Sequence, residues 1–156
     1  MGADTVAGID PGTRRLGYCV LERRGTRVAT LAIGTIEPRA RAMKDRLREM
    51  ADRLDEVFAA HRPRVVTVER AFVGKNPRSA LAIGLARGVA MVCAARAGAD
   101  VAEVTPGEAK RAVAAGGGAA KERVQRMVQL QLGLDAPPPF DAADAAALAL
   151  CGASRR

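Results

Sequence analysis

Val6-Ala7-Gly8-Ile9-Asp10-Pro11-Gly12-Thr13 is an apolar run that ends on an acid and then turns sharply. A run of this kind predicts a buried strand, and a carboxylate at its end loses hydration at a cost unless a cation compensates it. A metal ion is the compensation this position suggests. The arrangement recurs downstream: Glu69 ends Val65-Val66-Thr67-Val68, and Asp141 and Asp144 stand three apart ahead of the apolar run from Ala145 to Leu150. Singly, Asp141 reads equally well as a helix cap favoured by the dipole, and Asp144 as a surface acid. A cap accounts for one of these acids and leaves the two at strand ends unexplained.

Around the opening run the pattern predicts three strands, Thr5 to Ile9, Leu16 to Leu21 and Arg27 to Glu37, joined by connections short enough to require antiparallel pairing. From Arg41 to His61, apolar residues recur at three- and four-residue steps, which predicts an amphipathic helix ended by Pro63. Val65 to Glu69 suits a buried parallel strand, and Phe72 to Arg78, with Lys75, a basic loop. Ser79 to Ala97 is predicted helical. Gly84 and Gly88, four apart within it, suggest a backbone closely approached by a neighbour. Val101 to Val104 is a last strand. Thr105-Pro106-Gly107-Glu108 then supplies an N-cap, a proline at the first helical position and a capping-box glutamate for a helix to Ala115. Gly116-Gly117-Gly118 breaks it. Helices follow from Ala119 to Leu132 and from Asp141 to Ala153, with a proline-rich link from Ala136 to Phe140 between them. The expectation is one α/β domain over residues 1–156, a mixed five-stranded sheet flanked by helices.

Composition points to the partner. Lys and Arg outnumber Asp and Glu by 25 to 17, giving a net charge of +8 and a pI near 10.4, the electrostatic footprint of a nucleic-acid binder. No uninterrupted apolar run approaches the roughly 20 residues that cross a bilayer, and Met1-Gly2-Ala3-Asp4 lacks the basic start of a signal peptide, so a cytoplasmic location is expected. Cys19, Cys93 and Cys151 are odd in number, have no CxxC spacing and are joined by one histidine, His61. Those features argue against zinc, and the thiols read as small packed hydrophobes.

Asp141 and Asp144, at i and i+3, project from one face of the closing helix. If that helix lies across the sheet beside the first and fourth strands, four carboxylates converge. Such a set raises its members' pKa values unless cations bind, and all-oxygen donors favour Mg²⁺ or Mn²⁺. Two such ions about 4 Å apart activate water and stabilise the leaving oxygen in phosphodiester hydrolysis.

At these residues the sequence resembles the RuvC family of Holliday-junction resolvases. The resemblance rests on Gly8-Ile9-Asp10-Pro11-Gly12-Thr13-Arg14, Val68-Glu69, Phe72, Lys75-Asn76, Ala80-Leu81, Gly84, Ala86-Arg87-Gly88-Val89-Ala90 and Asp141-Ala142-Ala143-Asp144-Ala145, running from about Val6 to Leu150. It implies a ribonuclease-H-like fold, a homodimer, and divalent-metal-dependent paired incision of four-way DNA junctions that leaves 5′-phosphate and 3′-hydroxyl ends. By position it implies that Asp10, Glu69, Asp141 and Asp144 are catalytic metal ligands. Lys110 and Lys121 match the family's functional lysines at or near the scissile phosphate, with Lys121 placed among the catalytic residues. Phe72 matches an aromatic at the junction crossover. Lys75, Arg78, Arg87 and Arg14 are expected at the DNA, and the branch-migration proteins RuvA and RuvB are implied partners.

The sequence departs from the family at Arg70-Ala71 and in lacking the extra tail of some members after the last acids. Three other readings compete. The Gly-Ile-Asp-Pro-Gly-Thr-Arg opening also resembles ribosomal-RNA-processing relatives. Asp10-Pro11-Gly12-Thr13 is similar to the phosphate loop of actin- or sugar-kinase-like ATPases, which need two such domains where this length allows one. An inactive DNA-binding module is disfavoured by the retention of all four acids.

Overall fold

The structure, a computed structural model, describes residues 4–70, 74, 76–113 and 120–155. Phe72, Lys75 and the glycine break at 116–118 lie outside the described residues. Chain order is β1 (Asp4–Asp10), β2 (Leu16–Arg24), β3 (Arg27–Ile36), α1 (Met43–His61), β4 (Val65–Glu69), α2 (Pro77–Arg96), β5 (Asp100–Val104), α3 (Pro106–Ala112), α4 (Lys121–Leu132) and α5 (Phe140–Ser154). The strands form one sheet in the order β3-β2-β1-β4-β5. β1, β2 and β3 pair antiparallel, as their short connections require, whereas β4 and β5 run parallel to β1 after helical crossovers. The expected mixed five-stranded sheet with flanking helices is the observed one.

Strand alternation divides the core between the two faces. Ala7, Ile9, Val66 and Val68 point to one side and pack against Met50, Leu54 and Phe58 of α1 and Ala86, Ala90 and Cys93 of α2. Cys19 and Leu21 point to the other side, where α5 covers the sheet with the run Ala145 to Cys151, backed by Ala109 of α3 and Val124 and Val128 of α4. All three cysteines are buried and unpaired, as small apolar residues would be.

α5 sits unusually close to the sheet because glycines make room for it. A β-carbon on Gly8 would overlap the Ala145 carbonyl oxygen and the Ala149 amide, and one on Gly17 would overlap the Asp141 carbonyl. Both contacts are backbone, so no rotamer change relieves them. The strands therefore need glycine at these positions, and the alanine-rich helix supplies a complementary smooth surface.

Two expectations change. α2 begins at Pro77, two residues earlier than predicted, because the Asn76 side chain accepts from the Arg78 and Ser79 amides and Pro77 occupies a first-turn position. Arg78 therefore lies on a helix instead of a loop. Gly84 and Gly88 have nothing within 4 Å of where a β-carbon would stand, so the neighbour expected against them is absent among the described residues. Their face of α2 is open, while Ala86, Ala90, Cys93 and Ala94 make the helix's buried stripe. α2 is also long and apolar enough, by length and composition, to cross a membrane. Its buried stripe and mid-helix Arg87 place it in the α/β layer.

Candidate active site

Sheet register brings the first two acids together. β1 and β4 pair in parallel up to Ile9 opposite Val68, so Asp10 and Glu69 are the next residues along adjacent strands. Since Ile9 and Val68 face α1 and α2, the residues after them face α5. On the other flank of β1, Asp10 is paired with Gly17, the glycine that touches the Asp141 carbonyl. Glu69, Asp10 and Gly17 thus form a row across the strand ends, and the first turn of α5 is seated on that row.

The electrostatics report the same convergence. Asp10 is pushed up to about 7, first by burial and then by the charges of Asp144, Asp141 and Glu69, with Lys121 opposing the shift. Glu69 is raised by burial and then by Asp144, against Lys110. Asp144 is raised by burial and Asp141, against Lys121 and Lys110. These mutual effects join the four acids into one set with a lysine on either flank. A cavity of about 190 Å³ lies there, with Glu69, Asp144, Lys110 and Lys121 lining it and Ala109 and Leu148 contributing an apolar wall.

Among the described residues, no three acid, histidine or cysteine side chains are already closed to metal-ligand spacing. Asp10, Glu69 and Asp144 each have a pKa raised in part by other acids of the set. The donor set fits a hard divalent ion: oxygen only, with four carboxylates and no thiolate or imidazole.

The lysines differ in how the backbone treats them. Lys110 stands in the last turn of α3, where a cation suits the helix dipole, and α3 is opened by the expected capping box between Thr105 and Glu108. Lys121 is the exposed first residue of α4, whose N-cap Ala120 makes no side-chain cap bond. A lysine opposes the positive end of a helix, so its presence there is locally unfavourable. Together they form a concentrated positive point suited to phosphate. Arg14 and Arg78 are exposed, in the turn after β1 and in the first turn of α2. The Arg87 guanidinium donates to the Glu69 carbonyl at 3.5 Å, to the Glu103 carboxylate at 2.6 Å and to Met91 Sδ at 3.4 Å.

The sequence reading did not single out Gly8, Gly17, Arg46 or Arg155. Arg46 Nε donates to the Thr13 carbonyl at 3.0 Å and steadies the turn that follows Asp10. Gly8 carried a usable signal, because it lies two residues before Asp10 on the same strand face, opposite a helix made largely of alanine.

Asp10 gives the metal-free protein a pH dependence. Its folded pKa near 7 lies above the ordinary 3.8, so the folded chain retains a proton that the unfolded chain has released between those values. Stability from this group is full below about pH 4 and is lost as the pH rises through 7. The Tm of the chelator-treated protein should fall across that window, and Asp10→Asn should flatten the fall. Equal slopes for the two proteins would contradict the assignment.

Comparison with known proteins places this geometry. The family model described as crossover junction endodeoxyribonuclease RuvC matches residues 6–152. A crossover junction endodeoxyribonuclease RuvC of Alkalilimnicola ehrlichii is 46% identical over 146 residues, covering 94% of this chain and 88% of that protein. Among solved structures, Thermus thermophilus RuvC in complex with Holliday junction substrate superposes with a TM-score of 0.83 at 34% identity, covering 94% of this chain and 91% of the other. A yeast mitochondrial Holliday junction resolvase, at 15% identity and a TM-score of 0.63 over 95% of this chain and 78% of its own, shares the fold. With its strand-end acids, its acid pair on α5 and a family match over nearly its whole length, the chain belongs to the RuvC family of crossover junction endodeoxyribonucleases.

Proposed function

We propose that the chain is one nuclease domain that resolves four-way DNA junctions by metal-dependent hydrolysis of two opposed phosphodiester bonds, leaving 5′-phosphate and 3′-hydroxyl ends. The observation carrying this reading is the row of strand ends that sets Asp10 beside Glu69 under the Asp141 and Asp144 turn of α5. Asp10, Glu69, Asp141 and Asp144 would hold two Mg²⁺ or Mn²⁺ ions, which when bound supply Lewis-acid activation of water and stabilise the leaving 3′ oxygen. Lys121 and Lys110 flank the acids and orient the scissile phosphate by charge. Phe72 is assigned to stacking on an unpaired base, and Lys75, Arg78 and Arg14 to backbone phosphates.

A homodimer suits a substrate that is itself nearly two-fold. Support comes from α2, where Leu81, Leu85 and Val92 are exposed and share one helical stripe with the open Gly84 and Gly88. Glycines on such a stripe let a second copy of the helix approach closely. Cytoplasmic action with RuvA and RuvB completes the reading, by kinship with the family. The alternative of ribosomal-RNA processing gains no support from the comparisons.

Incubating the purified chain with a labelled mobile junction, a linear duplex and a structured RNA, with and without Mg²⁺ or Mn²⁺, tests the proposal. Paired nicks are expected in the junction alone and only with metal. Cleavage of the RNA in preference to the junction would reverse it. Binding should weaken steeply with salt, and Arg78→Ala should reduce the slope of log K against log salt by about one, without changing sequence preference. An unchanged slope in a titration would remove Arg78 from the interface.

A further inference from the structure

A second set of charged residues lies behind the acids and is built into the fold. Arg87, on α2, is largely buried; it bonds the Glu69 carbonyl at 3.5 Å and the Glu103 carboxylate at 2.6 Å. Glu103, on β5, accepts a second arginine on its backbone carbonyl, from Arg155 Nη1 at 3.1 Å. The other amino group of Arg155 donates to Glu108 Oε1 at 2.7 Å. Glu108 Oε2 in turn accepts from the Thr105 amide at 2.6 Å and the Thr105 hydroxyl at 2.9 Å, closing the capping box that starts α3. The chain of bonds is continuous, from the backbone of Glu69 to the short helix that carries Lys110. Thr105 and Arg155 also hold Glu108 below the ordinary carboxylate range, so it remains a charged acceptor at neutral pH.

We propose that Arg87 and Arg155 are positioning residues for the cleavage reaction, fixing Glu69 and Lys110 relative to each other through Glu103 and Glu108. The inference rests on the nuclease reading of Glu69 and Lys110 given above. The Arg87 side chain is only 15% exposed, and besides Met91 Sδ on its own helix its guanidinium bonds acceptors on strands β4 and β5. Isolated surface ion pairs contribute little, but here planar arginine forks join four separate elements. Groups that orient metal ligands from behind typically change activity by about 10- to 100-fold when removed.

The test measures single-turnover cleavage and junction affinity for the wild type and for Arg87→Met, Arg87→Lys, Arg155→Met and the double Met variant. Each Met variant should cut about 10- to 100-fold more slowly, while Kd and its salt slope stay within about twofold of wild type. Arg87→Lys should recover part of the rate, and the double variant should lose less than the product of the singles, because both residues act in one frame. Should Arg87→Met fail to fold, Glu103→Gln carries the same expectation. Wild-type rates in the variants would overturn the inference, as would a loss confined to Kd with a shallower salt slope. So would a rate loss that disappears when the temperature is lowered to restore folding. An inactive wild type would instead overturn the nuclease reading itself.

Discussion

Asp10→Asn should abolish junction cleavage while leaving junction binding within a fewfold of wild type. Asp10 occupies the centre of the row, paired with Gly17 on one side and level with Glu69 on the other, and its pKa responds to all three other acids. The amide keeps the shape but turns one acceptor oxygen into a donor and removes the charge that a cation requires. Loss of several kcal/mol of charge stabilisation in the transition state corresponds to a rate at least about a thousandfold lower. Affinity should be preserved, because the phosphate contacts proposed above are assigned to lysines and arginines, and removing a negative charge from the cleft strengthens anion binding if it changes it. Single-turnover cleavage and a gel-shift titration on the same preparation check both halves. An Asp10→Asn protein that cuts at the normal rate would refute the site.

The second large effect is expected from a single methyl group on an uncharged residue. Gly17→Ala places a β-carbon against the Asp141 carbonyl, and Gly8→Ala places one against Ala145 and Ala149. Neither obstacle is a movable side chain, so α5 must shift away from the sheet. Overpacking of this kind costs about 1–3 kcal/mol and sometimes more. The catalytic consequence is larger, because α5 carries Asp141 and Asp144, and a misplacement of about 1 Å can reduce a rate about a hundredfold. Gly17→Ala should therefore remain folded with a lowered Tm, bind junctions, and cut about a hundredfold more slowly. If Gly17→Ala cut as fast as wild type, close seating of α5 would not be what sets the acids.

These glycines also show how far the sequence could be read. Strand and helix order was legible because alternation and three-to-four periodicity are local, and the acids stood out because each interrupts an apolar run. Gly84 and Gly88 invited a close-approach reading, and among the described residues nothing stands against them, while Gly8 and Gly17 bear a close approach by α5. Glycine records that a β-carbon is missing and does not record what occupies the space. Arg78 was assigned to a loop because an Asn-Pro pair reads both as a turn and as the start of a helix, and the cap formed by Asn76 decides between them. Arg87 was expected at the DNA, and its bonds to the Glu69 carbonyl and Glu103 were not legible because those acceptors lie 18 and 16 residues away and meet it only through the parallel pairing of β4 and β5. Convergence of the four acids was conditional on where α5 lay, and the two glycine contacts supply the missing condition.

The central claim is that Asp10, Glu69, Asp141 and Asp144 jointly hold divalent cations. Anomalous diffraction from crystals of the wild-type protein soaked in Mn²⁺, compared with Asp10→Asn crystals treated identically, tests it most directly. Manganese peaks between β1, β4 and the first turn of α5 are expected in the wild type and should be lost or reduced in the variant. Manganese bound elsewhere, or bound equally well without the Asp10 carboxylate, would contradict the account.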